Sequence, residues 1–98
     1  MTRVTIRPEA EAELVAAADW YESKRSGLGI RFSSEIDQAL ARIAAAAESH
    51  PRWRPDRGYR KCLVHRFPFI IFFEIFPEVV EVVAFAHASR RPGYWLER

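Results

Sequence analysis

The hydrophobic period of this chain changes once, near residue 50, and that change limits what it can fold into. Phe32, Ile36, Leu40, Ile43 and Ala47 recur at helical spacing and draw a single apolar stripe. Beyond it the pattern becomes that of strands: Tyr59 to about Val64, Phe69 to Phe76, and Val79 to His87, the last two joined by a turn at Pro77-Glu78. Upstream, Ala10, Leu14, Ala17 and Tyr21 mark an earlier helix from Glu9 to about Lys24. Glu9, Glu11 and Glu13 load its N-terminal turns with negative charge, which the helix dipole favours. Pro8 ends a short strand around Val4 and Ile6 and is suited to open the helix, where its missing N–H is not needed. Gly27 and Gly29 break the two helices apart, and His50-Pro51 stops the second. The order β-α-α-β-β-β predicts an α+β domain, an antiparallel sheet with two antiparallel helices packed on one face.

With 98 residues, 49% of them apolar, the chain suits one domain with one core across residues 1–98. The lone Cys62 has no disulfide partner and points to a reducing cytoplasm. Met1 to Ile6 lacks the apolar core of a signal peptide, and no apolar run approaches the roughly 20 residues a membrane span needs, so a soluble cytoplasmic protein is expected. Charge is uneven. Residues 1–51 carry six Lys/Arg against eight Asp/Glu, net −2, and residues 52–98 carry nine against five, net +4. An anionic partner is therefore expected on the C-terminal half. Asp19, Glu22, Glu35 and Asp37 lack the spacing of a carboxylate metal site and read as helix-surface charge. Gly27-Leu28-Gly29 lacks the third glycine and the Lys-Ser/Thr of a phosphate loop. Neither a metal nor a cofactor is implied.

A tight turn at Pro77-Glu78 sets Glu74 opposite Glu81 and puts Ile70, Phe72 and Phe76 on one face with Val83, Phe85 and His87. Two facing carboxylates do not suit a helix-covered core, so this face is expected to be the other one. Left uncovered, it would take a protein partner, and without that partner the chain would be poorly soluble or self-associating. The alternative is that the tail bearing Tyr94 and Trp95 folds back over it. Trp53, between Arg52 and Arg54, either stacks on a base or partner or packs under the sheet edge.

Three blocks resemble the RelE/ParE toxin superfamily of type II toxin–antitoxin systems. They are Trp20-Tyr21-Glu22 with Gly27-Leu28-Gly29 and Phe32; Arg60 with the stretch Arg66 to Phe73; and Ala86-His87-Ala88-Ser89-Arg90-Arg91-Pro92-Gly93-Tyr94-Trp95. The resemblance spans about nine tenths of the chain. It implies a small cytoplasmic toxin neutralised by a cognate antitoxin, on a β-α-α scaffold followed by an antiparallel sheet. Two activities share that scaffold, ribosome-dependent cleavage of mRNA and inhibition of DNA gyrase by binding, so the site must choose between them. A degenerate, non-toxic binding module is a third possibility.

A metal-free ribonuclease needs a base for the 2′-OH, an acid for the leaving oxygen, and cations around the phosphate. His87 is the candidate for proton transfer, with Arg60, Arg66 and Arg90 as phosphate ligands. Arg91, Tyr94 and Trp95 are candidates for contact with a target or with RNA, the aromatics by stacking on a base. Ile70, Phe72, Phe76, Val83 and Phe85 are the candidate antitoxin-binding face. The stretch Phe69 to Phe76 is apolar except for Glu74, a carboxylate that would repel a scissile phosphate. RelE-like nucleases resembling this chain carry extra cations on the central strands, so the departure favours the gyrase-binding, ParE-like side.

Overall fold

Pro8 stands at the first turn of a 17-residue helix, α1 (Pro8–Lys24), which follows directly on strand β1 (Val4–Ile6). A second helix, α2 (Leu28–Ala46), and strands β2 (Tyr59–Leu63), β3 (Phe69–Ile75) and β4 (Val80–His87) complete the predicted order, with short 3-10 turns at Ala47–Ser49 and Tyr94–Glu97. The structure, a computed structural model, describes residues 2–98.

The four strands lie in the order β1-β4-β3-β2. β2, β3 and β4 are antiparallel neighbours, but β1 runs parallel to β4, with Thr5 beside Glu81. The antiparallel sheet expected from sequence holds for β2, β3 and β4, and β1 joins it in parallel. The chain leaves β1 through α1 and returns to β4 only after crossing the molecule, a long connection that permits parallel pairing. Both helices cover one face. Phe32, Ile36, Ala39 and Ile43 from α2 and Ala10 from α1 pack on Ile71, Phe73, Val80, Val82 and Phe85, all buried.

Gly27 and Gly29 act differently from one another. Gly27 takes a left-handed φ of 89° just before α2, whereas Gly29 lies inside the helix, against α1. A Cβ on Gly29 would meet the Ala18 carbonyl oxygen at 2.8 Å. Glu22 accepts hydrogen bonds from the Gly27 N–H at 2.9 Å and the Gly29 N–H at 3.0 Å, so it caps α2 across the helical hairpin instead of only decorating a surface. The block Glu22, Gly27, Gly29 is thus a hairpin lock. Gly29→Ala is expected to cost about 1–3 kcal/mol, as overpacking usually does; a lowered urea midpoint at unchanged slope is the check.

The Glu74–Glu81 pairing holds as predicted, and Arg7 neutralises Glu81 at 2.9 Å. Before β4 ends, however, its register with β3 slips. Phe72 pairs with Ala84 and Phe73 with Val82, leaving Val83 without a partner. This bulge exchanges the two faces of the remainder of β4. Phe85 consequently joins the helix-covered core, and His87 sits beside Phe69, away from Phe72. Both had been expected on the opposite face.

That opposite face is not bare. Phe72, Val83, Ala84 and Ala86 are buried beneath Trp95, with Trp53, Tyr59, Ile70 and Tyr94 around them. Trp95 stacks on Phe72 at 4.2 Å between centroids and meets Trp53 at 5.0 Å. The tail folds back, so the expected uncovered apolar surface, and the poor solubility drawn from it, do not follow. Of the five residues expected there, Phe72, Val83 and Phe85 are buried, Ile70 is half-buried and only Phe76 is exposed.

The outer edge of β2 and the length of β4 beyond β1 are also closed. On β2, Tyr59 and Leu63 carbonyls accept from the Trp53 N–H and the Arg42 guanidinium, and the Lys61 N–H donates to Pro51. On β4 past the end of β1, the Val83 carbonyl accepts from Arg98 at 2.7 Å and the Phe85 N–H donates to Glu13 at 3.1 Å. Side chains and the residue 51–53 backbone thereby occupy backbone groups that would otherwise invite another strand.

Candidate functional site

Glu13 lies one turn before Ala17 and two turns before Trp20 and Tyr21, so these residues share the stripe of α1 that faces the C-terminal end of β4. At its lower end the Glu13 carboxylate gathers four donors. Besides the Phe85 N–H it accepts from Arg90 at 3.2 Å, from Arg98 at 2.9 Å and from the Tyr94 hydroxyl. The Arg90 guanidinium also lies 3.4 Å above the centre of the Tyr94 ring. Burial, and then the bond to Glu13, push the Tyr94 phenol far above its ordinary value, so it stays protonated and donates. Glu13 therefore ties helix, strand and tail together. Sequence reasoning had placed it only as a helix-terminal charge.

At the upper end of the stripe, Ala17, Trp20 and Tyr21 form one wall of a groove of about 350 Å³, and Pro68, Phe69 and His87 form the other. Tyr21 is held by Phe32, Phe67 and Phe69, with centroids 4.9–6.1 Å away, which explains its place in the sequence block. Trp20 is different: it is 56% exposed, with Lys24 5.0 Å from its ring. His87 packs edge-on to Phe69, and its Nδ1 accepts from the Ser89 N–H at 3.1 Å, which leaves Nε2 as the nitrogen free to face the groove.

The residues singled out as a nuclease set do not meet at one point. Arg60 donates to the Glu48 and His50 carbonyls, at 3.2 and 2.8 Å, and so fastens β2 to the end of α2. Arg66, in a left-handed conformation with φ of 69°, reaches the buried Glu35 at 2.8 Å. This makes Glu35 part of an internal ion pair, not surface charge. Arg90 is bound to Glu13 and Tyr94. Of this set, His87 is the one that lines the apolar groove. Of the target-contact set, Arg91 is exposed, Tyr94 is half-buried, and Trp95, at 1% exposed, has no face left for stacking on a base. Cys62 is buried, and burial raises its thiol pKa despite the nearby Arg42. Among the described residues no three metal-ligating side chains form a group, and no helix is long and apolar enough to cross a membrane.

The class defined by these observations is a helical hairpin packed on a four-stranded sheet, with Arg60, Arg66 and Arg90 held by separate internal partners and an apolar groove between α1 and the end of β4. The model of the ParE toxin of type II toxin–antitoxin systems matches residues 4–92, and the chain belongs to that family. No curated protein sequence matches it. Among solved structures it resembles the chromosomal ParDE toxin–antitoxin system from P. aeruginosa, with a TM-score of 0.77 at 18% identity, over 91% of this chain and 98% of that one. At that identity the likeness speaks for the fold. The family makes the chain a toxin component and implies an antitoxin partner.

Proposed function

We propose that this toxin acts by binding a protein, with DNA gyrase the first candidate, and that a cognate antitoxin neutralises it. The observation that carries the reading is the dispersal of the cations. Arg60, Arg66 and Arg90 each hold a different internal partner, and β3 offers no positive side chain to a phosphate. A metal-free nuclease needs fixed charge around one scissile group, and electrostatic stabilisation of this kind is usually its largest source of rate. The free nitrogen of His87 does not substitute for that charge. The test is expression of the chain in a bacterium with mapping of new mRNA 5′ ends within minutes. Growth arrest with intact messages is expected, and His87→Ala should retain most of the toxicity. Cuts inside translated codons that disappear in His87→Ala would establish ribosome-dependent mRNA cleavage instead, and normal growth would mark a non-toxic binding module.

A further inference from the structure

Trp20 poses a question that packing does not answer. Its neighbours in the same sequence block serve the core or the helical hairpin, yet this large indole stands half in solvent at the mouth of an apolar groove. The walls, Ala17, Tyr21, Pro68 and Phe69, present carbon, and the polar handle within them is His87. Cations flank the groove. Lys24 lies against Trp20 with no carboxylate partner among the described residues, while Arg66, in the turn that carries Pro68, and Arg90, three residues past His87, remain 81% and 52% exposed beyond their ion pairs. The carboxylates paired with those arginines, Glu35 and Glu13, are mostly buried, and the exposed Asp19 beside Trp20 is not among the residues that line the groove.

Resting on the proposed toxin role, we infer that this groove is the docking site of an acidic amphipathic segment of the antitoxin. One large apolar side chain enters between Trp20 and Phe69, and carboxylates on the same segment face Lys24, Arg66 and Arg90. Charge complementarity selects this occupant over a second copy of the chain, which would bring the same cations together. Closure of the β2 edge and of β4 beyond β1 by Glu13, Arg42, Arg98 and the residue 51–53 backbone argues for side-chain insertion here over strand addition at those two places. An exposed tryptophan beside an apolar pocket, ringed by polar groups, is the usual composition of a binding hot spot.

The test replaces Trp20 with photoreactive benzoylphenylalanine in the full chain, co-expressed with its full-length antitoxin. Irradiation should give a single adduct on an antitoxin segment rich in Asp/Glu around Leu, Ile, Met or Phe. In parallel, Trp20→Ala should weaken the purified complex at least 30-fold and Lys24→Glu at least fivefold, with thermal midpoints of the free variants close to that of the parent. The Lys24→Glu loss should shrink in high salt. An intact complex with unchanged affinity in both variants, or an adduct on a basic segment, would place the antitoxin elsewhere and overturn the site while leaving the toxin reading intact. Cross-linking to a second copy, or to the cellular target while antitoxin affinity is unchanged, would overturn the occupant. Failure of the two proteins to associate at all would overturn the docking site together with the toxin role beneath it.

Discussion

Trp95→Ala should lower the unfolding free energy by about 3–5 kcal/mol, the usual cost of removing a large aromatic from a core. Small domains hold only about 5–15 kcal/mol in total, so the variant should lose roughly a fifth or more of its stability. Trp95 is 1% exposed, stacks on Phe72 and packs against Trp53, Tyr59 and Tyr94. Its indole N–H is buried without a partner among the described residues, a defect that partly offsets the gain from stacking. Trp95→Phe should therefore cost much less than Trp95→Ala, since phenylalanine keeps a ring over Phe72 and removes the unpaired donor. Truncation after Ser89 should be worse than either, because it bares Phe72, Val83, Ala84 and Ala86 together and removes Arg98 from the Val83 carbonyl. Urea unfolding of the three variants measures the order. Equal midpoints for the parent and Trp95→Ala would mean that the tail is not packed on the sheet.

The second large effect should come from Glu13. Glu13→Ala leaves the Phe85 N–H and the Tyr94 hydroxyl without their acceptor and frees two guanidinium groups, so we expect a loss of about 2–3 kcal/mol. Solvent around Arg90 holds this below the loss seen when a fully buried pair is broken. The same cluster sets an alkaline limit. The Tyr94 phenol has a raised pKa in the folded state, so the folded state holds this proton more tightly than the unfolded chain does. Its contribution is complete below the ordinary tyrosine value of about 10 and is lost as pH rises above it towards the folded value. Tyr94→Phe removes the bond at neutral pH but should flatten the fall above pH 10 relative to the parent. Unfolding free energies between pH 8 and 11.5 for the pair provide the check, and parallel curves would contradict the assignment.

Much of the fold was legible in the sequence because each element carries its own local signal. The stripe from Phe32 to Ala47, proline at the start of α1 and the β-rich runs after residue 59 all act over a few residues. The Glu74–Glu81 pairing was legible too, since a tight turn fixes the register beside it. What escaped depended on distant contacts. The bulge at Val83 adds one residue without a composition of its own, and it alone moves Phe85 and His87 to the helix side. Glu13 looks like any acidic residue near a helix start until β4 and the tail arrive from more than 70 residues away. Glu22 and Glu35, read as surface charge, find the α2 N-terminus and Arg66 only once the hairpin closes. The candidate site was legible in part: His87 was singled out, but Trp20 and Pro68 had appeared only as members of blocks resembling a family, and Phe69 only there and as the start of a strand.

We propose that this ParE-family chain works by binding a protein and not by cutting RNA. The most direct measurement is the supercoiling of relaxed plasmid by purified DNA gyrase with increasing amounts of the purified chain. Inhibition that saturates near equimolar toxin and gyrase, is retained by His87→Ala and is relieved by the antitoxin is the expected result. Undiminished supercoiling at a large excess of a chain that arrests growth and leaves cut messages in the cell would contradict it.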